Sequence, residues 1–122
     1  MLVDEYRKGW ALRYIREAKA QIAAAKISPD SMSSLIVDAL RKAQTAVYYS
    51  LGDPLIIEKI VMDALKEDSA ITDPVLRCLV ELERSIEIIS NIPISAAEEA
   101  LNEADELVKV AAEIVSFLVG ND

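Results

Sequence analysis

Long stretches of 3.6-residue apolar periodicity, interrupted only where a proline or glycine stands, constrain this chain more than any other feature. Pro29, Pro54, Pro74 and Pro93 all fall at the edges of such stretches, and the only glycines are Gly9, Gly52 and Gly120. A sheet protein needs turn residues roughly every 8–12 positions, which this chain does not supply. The pattern therefore predicts five helices and no strand. Helix one runs from about Val3 to Lys26 and is broken by Ser28-Pro29-Asp30. Helix two runs from about Ser31 to Leu51, with Gly52 as a left-handed stop. Asp53 caps a short third helix that opens on Pro54 and ends near Glu67. Thr72-Asp73-Pro74 repeats that start signal for helix four, which ends near Asn91. After Pro93, Ser95 with Glu98 three residues on reads as a capping box for helix five, which stops at Gly120.

Each long segment offers one apolar face. In helix two it is Met32, Ile36, Ala39, Leu40, Ala43, Ala46, Val47 and Leu51. In helix four it is Val75, Cys78, Leu79, Leu82, Ile86 and Ile89. In helix five it is Ala97, Ala100, Leu101, Ala104, Val108, Ala111, Ala112, Val115 and Leu118. Four long helices with short connections imply an all-α, up-and-down four-helix bundle. The short third helix, with Ile57, Ile60, Val61 and Ala64 inward, is expected to pack over one end. Residues 1–122 are expected to form a single domain, burying roughly two-thirds of the surface the unfolded chain exposes.

The hydrophobic fraction is 52%, yet no apolar run reaches the roughly 20 residues of a membrane span. The opening MLVDEYRKGW mixes charges of both signs and lacks a secretory core. With a single cysteine, the expectation is a cytoplasmic protein with no membrane association. The net charge of −8 argues against general affinity for nucleic acid. The charge is uneven. Residues 1–50 hold eight Lys/Arg against five Asp/Glu, net +3, and residues 51–122 hold five against sixteen, net −11. Two readings stay open: solvated helix faces of different composition, or a basic half and an acidic half that meet across an interface.

The chain has no histidine, which removes the commonest general base, nucleophile partner and transition-metal ligand. Cys78 lies on the apolar face of helix four and reads as a small buried hydrophobe. Glu98, Glu99, Glu103, Asp105, Glu106 and Glu113 crowd helix five. A Mg²⁺-dependent nucleotide pyrophosphohydrolase needs such carboxylates turned inward on two helices. Here Glu99, Glu103, Glu106 and Glu113 fall opposite the Ala/Val stripe. The isolated glycines exclude a phosphate loop or dinucleotide fingerprint. The expectation is no enzyme, no cofactor and no metal.

Surface clues lie on helices one and two. Lys8, Arg16, Lys19 and Lys26 share an outward stripe that suits either solvent or a phosphate backbone, and Arg13–Glu17 has ion-pair spacing. Arg7 projects inward with Ala11, Tyr14 and Ala18, toward a carboxylate at the edge of the core. Tyr48 and Tyr49 fall off the helix-two core stripe and, with Arg41, Lys42 and Thr45, form an aromatic and basic patch. Such residue types anchor interfaces. The alternative is that the rings lie flat over neighbouring helices.

Tyr14, Ala18 and Lys19 in RYIREAKAQIAAAKI, the Tyr-Tyr pair closing ALRKAQTAVYYSLGDP, and the order of two long, one short and two long helices resemble the HEPN superfamily of small prokaryotic helical bundles. As motif the likeness covers about forty residues, Tyr14 to Pro54. It implies dimerisation and, as in many members, pairing with a nucleotidyltransferase. Nuclease members carry Arg-x4–6-His, which a chain without histidine cannot supply. Members with the Tyr-Tyr pair often place Arg two positions before it; here Ala46 stands there. The expected function is a non-catalytic homodimerising or protein-interaction bundle. The alternative is a nucleotide- or RNA-binding bundle using Arg7, Arg41, Lys42 and Tyr48.

Overall fold

The computed structural model describes residues 4–67 and 71–120. Among them are five α-helices and no strand: α1 (Glu5–Ala25), α2 (Met32–Leu51), α3 (Pro54–Lys66), α4 (Pro74–Ile89) and α5 (Ala97–Val119). Single 3₁₀ turns, Pro29–Ser31 and Ile94–Ala96, precede α2 and α5. The start expected for helix one, Val3, lies outside the described residues.

Three aspartates set the helix starts by the expected chemistry. The Asp4 carboxylate accepts from the Arg7 N–H at 2.8 Å and the Asp53 carboxylate from the Leu55 N–H at 3.0 Å. Asp73 accepts from both Val75 and Leu76, at 2.9 and 3.0 Å. Each satisfies amides that have no partner within the helix. Pro54 and Pro74 stand in the first turn, where a missing N–H costs nothing. The capping box of helix five does not form. The 3₁₀ turn after Pro93 carries the chain past Ser95, its Ala96 N–H donating to the Pro93 carbonyl at 3.0 Å, and the cap position falls on Ala96, whose side chain cannot accept. Gly120 ends α5 in the left-handed conformation. Gly52 does not take that conformation: its φ of 157° and ψ of −137° turn the chain sharply toward α3 by a route open chiefly to glycine. Helix four stops at Ile89, short of the expected Asn91. Ser90 and Asn91 turn their side chains back onto the carbonyls of Ile86 and Glu87.

Cross-helix contacts fix the directions. Gln21 donates to Asp38, Lys42 reaches Glu17 at 3.2 Å and Tyr14 stacks near Tyr49, so α1 and α2 are antiparallel. Arg41 meets Glu83 while Leu51 lies by Val75, so α4 runs against α2. Lys26 meets Asp105 while Lys19 lies by Ala112, so α5 runs against α1. The result is the up-and-down arrangement, with α3 inserted between α2 and α4. Helix α2 is central and packs against each of the other four; its most extensive pairing is with α1. The buried faces of the two helices include Ala11, Ala18 and Ala25 on α1 and Ala39, Ala43 and Ala46 on α2, small enough to let helix backbones approach closely.

One core cluster gathers side chains from all five helices. The stripes expected on α2, α4 and α5 supply most of it, with Met32, Leu51 and Val75 half-buried at its edges; Leu118 is half-buried. In α3 only Val61 is fully buried; Ile57 and Ala64 pack partly against the core. Ile60, expected inward, is exposed, because a short helix at the rim is covered on one side only. No helix among the described residues is long and apolar enough to cross a membrane.

Candidate functional site

The residues expected to form one aromatic and basic patch do not come together. Tyr48 is 5% exposed and belongs to the core. A single apolar stripe implies one covered side, whereas α2 has neighbours on several. Tyr49 is half-buried over α1, stacked on Tyr14 with ring centres 6.0 Å apart and on Trp10 at 6.4 Å. Tyr49 thus lies flat over a neighbouring helix, the second of the two readings open for the pair, whereas the buried Tyr48 fits neither.

The cations diverge as well. Arg41 points to α4, where its guanidinium donates to Glu83 at 3.1 Å. Lys42 points the opposite way, to Glu17 at 3.2 Å and Asp38 at 3.4 Å. Thr45 spends its hydroxyl on the Arg41 carbonyl at 2.9 Å. Arg7 sits at the far end of α1 and meets Asp4 at 3.4 Å, a local carboxylate at the helix start. Three cations held by carboxylates in three directions do not make a phosphate cradle. Lys26 of the outward basic stripe is also paired, with Asp105 of α5 at 3.3 Å, and Arg13 with Glu17 at 2.9 Å has the expected helical geometry.

Two groupings were not foreseen. The first is a four-ring cluster, in which Tyr6, Trp10 and Tyr14 follow one another at i, i+4 spacing along α1 and Tyr49 of α2 closes the set; Arg13 lies over the Trp10 ring at 5.1 Å. The spacing of the three α1 aromatics was the available signal. The second is a polar junction between α2 and α4. The buried Gln44 donates to Glu83 at 2.7 Å beside Arg41, and nothing in an apolar periodicity marks a buried glutamine.

The Tyr48 hydroxyl is buried with no hydrogen-bond partner among the described residues. Burial, followed by the charges of Glu83 and Glu58, drives its pKa far above the ordinary phenol value. Burial pushes the Cys78 thiol up to about 11. Both groups fold in the neutral form, so their contribution to stability is complete below their unfolded pKa values and is lost as pH rises through the folded ones. Circular dichroism should therefore show stability declining above about pH 9, where an exposed thiol begins to ionise. At neutral pH, Tyr48→Phe should leave the thermal midpoint unchanged or slightly higher, since it removes a buried hydroxyl without breaking a bond. A loss of more than about 2 kcal/mol would mean the hydroxyl is bonded.

Glu99, Glu103, Glu106 and Glu113 are exposed, on the outer side of α5. Among the described residues no group of three or more Cys, Asp or Glu is disposed to hold a metal ion. No match was found among protein-family models, curated proteins or solved structures.

The outer side of α3 is apolar. On α3, Leu55, Ile56 and Ile60 are 77%, 60% and 48% exposed. Beside them a crevice of about 290 Å³ opens between α3 and the ends of α2 and α4, lined by Leu51, Ile57, Ile60, Val75, Leu76 and Leu79, with Asp73 at its edge.

Proposed function

We propose that the chain is a non-catalytic association module and that it forms a two-fold homodimer through the outer face of α3. The observation that carries this reading is the exposure of Leu55, Ile56 and Ile60 on one short helix. Large apolar side chains grouped on a surface mark a contact site. Charge favours a second copy as the occupant. The chain carries −8, so two copies repel across most of their surfaces, but α3 balances Glu58 and Asp63 with Lys59 and Lys66. Closed two-fold dimers are the commonest assembly. The crevice beside α3 adds apolar surface toward the roughly 1,000 Å² a specific dimer buries. The proposed interface lies away from Tyr48, which is buried, and Tyr49, which is half-buried over α1. The HEPN-like helix order is in keeping with this reading, and a nucleotidyltransferase is the further partner that likeness proposes.

Sedimentation at micromolar concentration should give a dimer. The double change Ile56→Glu and Ile60→Glu should give a monomer with an unchanged helical spectrum, because both side chains are already exposed. A monomeric wild type sinks the proposal, and a double variant that stays dimeric places the interface elsewhere.

A further inference from the structure

Helix α5 carries two apolar faces, and the bundle uses one. Ala97 through Val115 fill the core, while Leu107, Val110, Ile114 and Phe117 repeat at intervals of three, four and three along a second line. Such spacing keeps side chains on one side of a helix over about 15 Å. Phe117 is 85% exposed and Val110 44%, with Leu107 and Ile114 half-buried between them and the core. The line begins in a crevice of about 550 Å³ between α4 and α5, where Leu107 lies with Glu81, Arg84, Ser85, Glu103 and Glu106.

We propose that this stripe and crevice dock one amphipathic, basic helix of a partner protein. Charge decides among occupants. Glu103, Glu106 and Glu113 border the stripe on α5 and Glu81 faces it from α4, against Arg84 in the crevice and Lys109, which lies 3.9 Å from Glu106. The C-terminal part from residue 51 onward carries net −11. A second copy laid along this face would set glutamates against glutamates. The most basic helix of such a copy, α1, has its own apolar stripe of Ala11, Ile15, Ala18 and Ile22 buried in its core. Phosphate-bearing lipids and nucleic acids are repelled by the same carboxylates. A helix with apolar anchors at i, i+3, i+4 and i+7 and lysine or arginine on its flanks meets both the groove and its rim. This surface is separate from α3, so its occupancy does not depend on the dimer.

The test uses the full chain and a fluorescein-labelled synthetic helix of about 18 residues, with leucines along one face and lysines beside them. Fluorescence anisotropy should show binding that weakens several-fold as salt rises from about 50 to about 300 mM. The double change Val110→Ser and Phe117→Ser should weaken it about tenfold or more, as loss of anchoring side chains does. The charge reversals Glu103→Lys and Glu106→Lys should weaken it as well. Ile56→Glu with Ile60→Glu should leave it unchanged, which separates this site from the dimer face. No binding at about 1 mM peptide overturns the proposal. So does equal binding by the Val110/Phe117 variant or by a peptide of the same composition with its leucines scattered around the helix.

Discussion

Leu40→Ala is expected to destabilise the fold by about 3–5 kcal/mol, lowering the thermal midpoint by roughly 10–20 °C. Leu40 is fully buried on α2, the helix that touches all others. The cost of such a truncation depends on how far the surroundings collapse into the space left behind. Here they collapse little. The core is rich in alanine: Ala39, Ala43 and Ala46 on α2 and Ala104 and Ala111 on α5 are fully buried and have no side-chain torsions with which to fill a cavity. The matched control is Leu55→Ala on the exposed face of α3, expected to cost less than about 0.5 kcal/mol. Urea unfolding followed by circular dichroism measures both. A loss under about 1 kcal/mol at Leu40 would contradict a fold centred on α2.

Glu83→Ala should cost about 1–3 kcal/mol, and Glu83→Gln markedly less. The carboxylate accepts from Gln44 at 2.7 Å and Arg41 at 3.1 Å, and its side chain is only 12% exposed. Alanine leaves the Gln44 amide in the interior without an acceptor, and that unsatisfied group sets the size of the loss. Glutamine keeps a carbonyl in place, so most of the penalty is avoided. A second readout follows from charge. Glu83 helps hold Tyr48 in its neutral form, so both variants should bring the Tyr48 ionisation down toward the ordinary phenol range. Ultraviolet difference spectra during alkaline titration measure that shift. Alanine and glutamine variants of equal stability would show that the α2–α4 junction contributes through packing alone.

The fold was legible because its signals are local. Asp53-Pro54 and Asp73-Pro74 open helices by hydrogen bonds that span two or three residues, and the α4 and α5 stripes need only the helical period. What depended on neighbours was not legible. Periodicity assigns a helix one covered side, but α2 is covered on several, so Tyr48, Gln44 and Ser50 are buried outside its stripe. The same assumption erred in the other direction for α3, where Ile60 faces solvent. Val80 on α4 was missed for the reason that hid Tyr48. The candidate patch failed because a helical projection places Arg41 and Lys42 side by side, whereas each side chain reaches for the nearest carboxylate on a different neighbouring helix. Ser95 misled because a 3₁₀ turn displaces the cap by one residue, and that turn has no signature beyond the preceding proline.

The position of the only tryptophan gives this bundle a built-in optical probe. Trp10 sits on α1 with its ring against Tyr49 of α2, 6.4 Å between centres and nearly parallel. Its emission thus registers whether α1 is seated on α2, while tyrosines packed around it feed it excitation energy that is lost when the helices part. Far-ultraviolet dichroism sums over all five helices and does not distinguish α1. If the two signals change together during unfolding, α1 leaves in the same cooperative step as the rest. If the tryptophan signal changes first, the α1–α2 seam is the weak joint, and the remaining helices hold together without their most basic member.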